Sequence, residues 1–330
     1  MTNYKALYVE EVGEKEFVKS IKELPISNLP DNDLLIDVHY SSLNFKDAMS
    51  AHGNKGITKS YPHTPGIDAA GVVISDKSGT YTKGDHVLVF GYDLGMNTPG
   101  GLGQRIAIPA NWAVMCPHGL TLRESMIYGT GGLTAALCIE KLERMGATPE
   151  QGNVAVTGAT GGVGSVSIAL LAKLGYQVTA FSGKPEQSEQ LKALGASEVL
   201  HRDVINEIGK RPIGKPLWAN GIDTLGGDYL ANLLKQIFPG GSVSACGLAS
   251  SMDIPTNVFP FITRGVSLLG VDSVQIPLAA KQHIWDRVAT DMKLDNLDQF
   301  CEEITLEQVP EYLDKFINGS VVGRYLVNLQ

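Results

Sequence analysis

The sequence predicts an α/β protein of two domains, a strand-rich first part followed by a parallel sheet wound on both faces. Three observations carry that expectation. The 330 residues exceed what a single hydrophobic core commonly serves, so two cores are expected. Up to about residue 120, turns rich in Gly, Pro, Asp and Asn separate short β-branched runs. Beyond Pro149, strand-like and helix-like segments alternate, which is the pattern of right-handed crossovers building a parallel sheet.

The elements follow in order. LLIDVHYS (residues 34–41), IDAAGVVI (67–74), HVLVF (86–90) and RIAI (105–108) read as strands, with no amphipathic helix expected between them. At Thr121 the texture changes. Thr121 and Glu124 have capping-box spacing, and a helical pattern runs to about Gly146, interrupted at Gly129-Thr130-Gly131-Gly132. NVAVT (153–157) is the next strand. Residues 162–174 are helical, with Val163, Val166, Leu170 and Leu174 near one face. A strand at 177–181 follows, then a helix opened by Pro185 and closed by Gly195. Strands at 198–200, 221–224 and 242–246, a helix near 228–238 and a sixth strand, VSLLGV (266–271), complete the alternation. The tail from about Ser273 carries two helical patterns and a last strand at 324–328.

Composition excludes several classes of function. Asp and Glu (35) outnumber Lys and Arg (27), for a net charge of -8, which lacks the electrostatic footprint of a nucleic-acid binder. Cys116, Cys138, Cys246 and Cys301 are far apart and form no C-x-x-C pair, so a zinc knuckle, a redox dithiol and a disulfide scaffold are not expected. The opening residues are acidic where a signal peptide needs an apolar run, and no stretch is long and apolar enough to span a bilayer. The expectation is a soluble, cytoplasmic protein.

Residues 157–165 read TGATGGVGS and sit between an expected strand and an expected helix. Glycines there allow a tight turn and a close backbone approach, and the helix N-terminus that follows favours a phosphate. The spacing is not strict G-x-G-x-x-G, and such a turn can also be a plain tight connection. Its strand-turn-helix context favours dinucleotide binding, with Thr160, Gly161, Gly162 and Val163 as contacts. An NAD site wants an acidic residue about 20 positions further on. Here Ser182-Gly183-Lys184 occupies that place, and Arg202 follows the next strand. A hydroxyl and two cations suit a 2′-phosphate, which a carboxylate would repel, so the expected cofactor is NADPH. The chain has no Tyr-x-x-x-Lys pair, no G-x-S-x-G elbow and no P-loop.

Longer runs carry a resemblance. SSLNFKDAM (41–49), PGIDAAGVV (65–73), KGDHVLVFG (83–91) and the glycine turn resemble the zinc-free quinone-oxidoreductase branch of the medium-chain reductases. IDTLGG (222–227), ACGLA (245–249), PFITRGVSLLGVDS (260–273) and VVGRYLV (321–327) look like its acrylyl-CoA reductase subgroup.

The resemblance implies a GroES-like catalytic domain, residues 1–124 completed by 273–330, and a Rossmann NADPH domain, 125–272, with the active site in the cleft between them. It implies further cofactor contacts from Phe45, Leu248, Ile262, Ser273 and Asn318. Phe45 stands where tyrosine is usual, and by residue type Leu248 and Ile262 would be core. Zinc-dependent relatives need a cysteine and a Gly-His-Glu run. Asn44 and Pro65-Gly66-Ile67-Asp68 stand here instead, so no zinc is expected. Asn44 and Asp47 are the candidate catalytic residues, Asn44 as a donor to an enolate and Asp47 as an orienting acceptor, although both residue types also cap turns. The implied reaction is NADPH-dependent reduction of the double bond of an enoyl thioester, acrylyl-CoA first. The alternatives are quinone or enal reduction, and NADPH binding without turnover. Pairing of the 266–271 strand across a two-fold axis is expected to give a homodimer.

Overall fold

The structure is a computed structural model that describes residues 3–330. The chain divides into two units. The first comprises the chain up to Thr130 with Val274–Thr290 and Asn296–Gln330, and the second comprises Gly131–Ser273 with Asp291–Asp295. The expected boundaries at 124/125 and 272/273 stand at 130/131 and 273/274, the first of them just past a break in helical geometry at Gly129.

The first unit begins with an antiparallel pair, β1 (Asn3–Gly13) and β2 (Glu16–Pro25), that no run named from the sequence anticipated. β3 (Leu34–Ser42), β4 (Asp68–Asp76), β5 (His86–Phe90), β6 (Arg105–Ile108) and β7 (Ala113–Met115) follow. β3 alternates as a half-covered strand does, with Leu34, Ile36 and Val38 buried and Leu35, Asp37 and His39 more exposed. The expectation of no helix among these strands is overturned by α1 (Phe45–Ala51). It is too short for its periodicity to show, and a capping box between Asn44 and Asp47 starts it. The long helix α2 (Leu122–Arg144) breaks helical geometry at Gly129, inside the expected interruption.

The second unit is a parallel sheet of β8 (Val154–Thr157), β9 (Val178–Ser182), β10 (Glu198–His201), β11 (Asn220–Asp223), β12 (Ser242–Ala245) and β13 (Ser267–Gly270). Their order is β10-β9-β8-β11-β12-β13, the doubly wound order whose ligand crevice lies at the carboxyl ends of the strands. β8 and β9 are buried throughout, which is why they read as continuous apolar runs rather than alternating ones. α3 (Gly162–Lys173), α4 (Ser188–Ala193), α5 (Gly227–Leu234) and α6 (Phe259–Arg264) connect them. α5 ends short of the expected residue 238 because the chain leaves the helix to bridge Ile237 to Trp218. Phe181, Trp218, Leu233, Ile237 and Val243 pack in this unit's core.

The chain then returns to the first unit as α7 (Leu278–Val288), β14 (Cys301–Thr305), α8 (Val309–Ile317) and β15 (Arg324–Asn328). The seven-stranded sheet runs β14-β15-β3-β4-β5-β7, with β6 paired to β3. α7 is held on β5 by a stack of Trp285 on Phe90 at 4.8 Å and by the buried Lys281, whose Nζ donates to the Phe90 carbonyl at 2.6 Å. Among the described residues no helix is long and apolar enough to cross a membrane.

Candidate active site

In the second unit, β8 delivers the chain to the glycine turn, and the turn to α3. A Cβ at Gly164 would lie 2.3 Å from the Gly158 carbonyl, so the turn closes as it does only with glycine there. Thr160, Gly161, Gly162 and Val163 are all solvent-accessible at this end. No side chain caps α3 and no acidic residue stands in its first turn, which leaves its first amides open to an anion.

Ser182 ends β9, buried to 4% exposure, and its Oγ accepts from the Lys184 amide at 2.9 Å. The Arg202 guanidinium lies against Gly183, where a Cβ would meet its Nε at 2.9 Å, and stacks over the Tyr229 ring at 5.7 Å. Ser182, Gly183, Lys184 and Arg202 are thereby brought together at the carboxyl ends of adjacent strands, as the charge pattern anticipated.

Three residues that the sequence reading missed support this end of the sheet. Thr157 Oγ1 donates to Asp223 Oδ1 at 2.7 Å and accepts from the Thr224 amide at 3.0 Å, while Asp223 Oδ2 takes the Gly226 amide at 2.7 Å. Burial raises the Asp223 carboxyl above the ordinary range, against the hydrogen bonds that lower it. A lone aspartate ending an apolar strand was the available signal. Leu248 and Ile262 are 65% and 74% exposed, which removes the core reading of both. Ser273 Oγ accepts from Thr134 Oγ1 at 3.0 Å.

In the first unit, Phe45 is 56% exposed. Asn318 is exposed at the end of α8, its amide donated to the Asp314 carbonyl at 3.2 Å. Asn44 and Asp47 belong to a buried polar cluster. Asp68, on β4, accepts from Asn44 Nδ2 and the Thr130 amide, both at 2.9 Å, and from the hydroxyls of Ser42 and Thr130. Arg324, on β15, is 3.9 Å from Asp68. Ser42 bridges them, accepting from Arg324 Nη2 at 2.8 Å. Arg324 also donates to the Ile127 carbonyl at 3.2 Å and to Asn44 Oδ1 at 3.4 Å. Asp68 and Arg324 stood inside runs quoted for the resemblance, but nothing in the sequence paired them.

These contacts change the reading of the two catalytic candidates. The Asn44 amide gives one hydrogen to Asp68 and the other to the Ser42 carbonyl at 3.3 Å, so neither is left for a substrate oxygen. Asp47 is fully buried, its oxygens accepting the Asn44 and Ile67 amides at 2.8 and 2.9 Å. Burial, with the Asp68 charge second, pushes its carboxyl up to about 7. Neither residue is placed as a catalytic group by this geometry; both position the start of α1.

The same cluster answers whether zinc fits. Asn44 and Asp68 stand where a metal-dependent relative needs soft ligands, their polar atoms are taken up by protein partners, and a guanidinium stands over the carboxylate. The donor set does not suit zinc. Among the described residues no group of three or more His, Cys, Asp and Glu is arranged to hold a metal.

Comparison with known proteins gives two family matches, "Alcohol dehydrogenase GroES-like domain" over residues 30–139 and "Zinc-binding dehydrogenase" over residues 162–290. The "Probable acrylyl-CoA reductase AcuI" of Escherichia coli is 44% identical over 98% of this chain and 99% of its own length. The chain belongs to the medium-chain dehydrogenase/reductase family. Its relatives place this reductase in the zinc-free branch. The "Acrylyl-CoA reductase AcuI" of Ruegeria pomeroyi is 41% identical over 97% of this chain and 96% of its own. The "Putative quinone oxidoreductase YhfP" of Bacillus subtilis is 40% identical over 99% of both. Among solved structures, the yhdH oxidoreductase of Salmonella enterica in complex with NADP has a TM-score of 0.96 at 44% identity, covering 99% of this chain and 100% of that one. The Bacillus subtilis protein yhfP with NAD bound has 0.97 at 40%, covering 100% of both.

In this medium-chain reductase, alanine at Asn44 removes a helix cap worth ~1 kcal/mol and takes a hydrogen bond, worth ~1–3 kcal/mol when the partner left behind is buried, from Asp68. The melting temperature of Asn44→Ala is expected to fall by several degrees, contrary to the expectation that a pure substrate donor would leave it unmoved. An unchanged melting temperature with activity lost would restore Asn44 as a substrate-facing donor.

Proposed function

We propose that the protein is an NADPH-dependent reductase of the carbon–carbon double bond of an α,β-unsaturated thioester, converting acrylyl-CoA to propionyl-CoA. The observation that carries the substrate is end-to-end likeness to relatives named acrylyl-CoA reductases. The choice of NADPH rests on Ser182, Lys184 and Arg202 gathered where an NAD site would carry a carboxylate.

In this reading the amides of Thr160, Gly161, Gly162 and Val163 hold the pyrophosphate, and Ser182, Gly183, Lys184 and Arg202 hold the 2′-phosphate. Phe45, Leu248, Ile262, Ser273 and Asn318 line the rest of the cofactor, the exposure of Phe45, Leu248 and Ile262 leaving them free to do so. NADPH, when bound, supplies the hydride that the substrate β-carbon takes. Negative charge then grows on the thioester carbonyl oxygen and calls for a fixed hydrogen-bond donor. Asn44 and Asp47 serve as positioning residues, holding the turn that carries Phe45 and Lys46.

The test is NADPH oxidation with acryloyl-CoA, crotonyl-CoA, a quinone and acrolein. Acryloyl-CoA is expected to give the highest kcat/KM. A quinone preferred over both thioesters would replace this reading with the second one, which the likeness to the Bacillus subtilis relative favours. Silence across the panel with NADPH still bound would point to a cofactor-binding protein without turnover.

The reading extends to a cytoplasmic homodimer. All four cysteines are free, in keeping with a reducing compartment. β13 is an edge strand, and the segment leading to it exposes Met252, Val258 and Phe259 at 80%, 61% and 45%. An apolar approach to an open edge invites pairing with a second copy. Light scattering at micromolar concentration is expected to return twice the 35.3 kDa chain mass; a monomer would refute the assembly without touching the chemistry.

A further inference from the structure

Three loops at the carboxyl ends of neighbouring strands in the second unit are bonded in series. The first is the glycine turn after β8, the second is 224–226 after β11, and the third is 246–251 after β12. Thr224 Oγ1 donates to the Thr157 carbonyl at 3.1 Å, and a Cβ at Gly158 would stand 2.1 Å from that hydroxyl oxygen. The first two loops therefore touch, with glycine at the point of contact. The second and third are joined by backbone. The Cys246 amide donates to the Asp223 carbonyl at 3.0 Å, the Ser250 amide donates to the Leu225 carbonyl at 2.8 Å, and Gly226 bridges to Ser251.

One carboxylate holds the series together. Asp223, fully buried at the end of β11, accepts from the Thr157 hydroxyl on Oδ1 and from the Gly226 amide on Oδ2, both at 2.7 Å. It thus grips the residue that opens the first loop and the residue that closes the second. The Thr157 hydroxyl completes the junction by accepting from the Thr224 amide at 3.0 Å. The choice of side chain is informative. A neutral group would cost less to bury at the end of an apolar strand, since a carboxylate has to be compensated by hydrogen bonds. What a carboxylate adds is a pair of oxygens that take two converging donors without bringing a hydrogen of their own. Asp223 is closed off from any ligand, so what it sets is the spacing of the loops around it.

We propose that Asp223 is a positioning residue for the dinucleotide, fixing the glycine turn and the Leu248 segment at the spacing that bound cofactor requires. The inference rests on the proposed cofactor site, in which the first loop holds the pyrophosphate and Leu248 lines the cofactor. Loops already ordered against one another carry less ordering cost when the ligand arrives. The series leaves out the ends of β9 and β10, where Ser182 and Arg202 stand. Its effect therefore falls on NADPH and NADH alike, unlike that of the two cations.

The experiment titrates both cofactors by fluorescence into the full chain and its variants, alongside melting curves and steady-state kinetics with acryloyl-CoA. Asp223→Asn keeps the shape, but whichever donor faces its NH2 group loses an acceptor. Its Kd is expected to rise roughly 10-fold for NADPH and for NADH, about 1.4 kcal/mol. At saturating cofactor, kcat should stay within about 3-fold of its starting value, the split expected when binding alone is lost. Thr157→Val removes the hydroxyl from the same junction and should weaken both cofactors to a similar degree. Thr157→Ser keeps the hydroxyl and should keep the affinity. Combining Asp223→Asn with Thr157→Val should be little worse than either change alone, because the two groups act as a pair. Unchanged Kd values, whatever the melting temperature does, would reduce Asp223 to a structural group and overturn the proposal. A loss confined to NADPH would overturn it as well, by placing the effect at the 2′-phosphate. Failure of the unaltered protein to bind either dinucleotide would overturn the cofactor reading on which the proposal rests.

Discussion

Alanine at both Lys184 and Arg202 is expected to raise KM for NADPH roughly 100-fold while leaving kcat/KM with NADH within a few-fold of its starting value. The asymmetry follows from what the two cations face. In the proposed site their charges face the 2′-phosphate, which NADH lacks, and a charge-assisted hydrogen bond contributes about 1.5–3 kcal/mol. Arg202 is exposed and Lys184 half-buried, so the lower end applies, and two contacts at about 1.5 kcal/mol each make roughly 100-fold. Folding should be little affected. Lys184 holds the turn through its backbone amide on Ser182 Oγ, a bond that alanine keeps, and Arg202 loses a stack on Tyr229 at the surface. Steady-state kinetics with both cofactors reads the result. Equal losses with NADH and NADPH would mean that the pair shapes the turn rather than selecting the phosphate. The likeness to a Bacillus subtilis protein solved with NAD bound makes this the informative measurement on the cofactor.

The parallel sheet was legible because its strands are buried throughout and punctuated by turn residues. β8 and β9 have no exposed position, and such strands leave an unbroken apolar signature that alternating loops and helices then frame. The placement of Ser182, Lys184 and Arg202 at the ends of adjacent strands was legible for the same reason, since strand ends fix where those residues fall. The first unit was less readable. α1 spans only Phe45–Ala51, under two turns, so its apolar face has no period to display, and its Asn44–Asp47 cap was read as a site. Asp68 and Arg324 lie near opposite ends of the sequence and meet only because β15 pairs with β3 and β3 with β4. Local spacing carries no information about such a pair. Leu248 and Ile262 show the opposite failure: residue type alone said core, and their exposure shows a surface that something else must cover.

Alanine at Gly129 is expected to destabilise the first unit by about 4 kcal/mol or more, a loss in the range reserved for core disruption. Gly129 sits at φ 53°, ψ -161° inside α2, so any side chain there incurs left-handed strain of roughly 1–2 kcal/mol. Space is the larger problem. A Cβ would lie 2.1 Å from Arg324 Nη2, 2.4 Å from Ser42 Oγ and 2.9 Å from Asp68 Oδ2. None of these atoms is free to retreat. Asp68 and Arg324 are 0% and 4% exposed, and each is fixed by several hydrogen bonds that hold Asn44, Thr130 and the Ile127 carbonyl in place. Prising the carboxylate from the guanidinium and its bridging hydroxyl leaves buried charge without compensation, a change that costs ~3–5 kcal/mol. For a unit of this size each kcal/mol moves the melting temperature by about 2–4 °C, so a fall of roughly 10 °C is expected, with activity lost in proportion to the folded fraction. Gly146→Ala supplies the control. It lies just beyond the same helix at φ 88°, yet a Cβ there meets nothing within 4 Å. Strain without overlap should lower the melting temperature by only a few degrees. If the two variants melt together, conformational strain alone accounts for both, and the buried cluster has room for a methyl group. If Gly129→Ala falls far below Gly146→Ala, the kink in α2 exists to let the backbone pass over the Asp68–Arg324 pair.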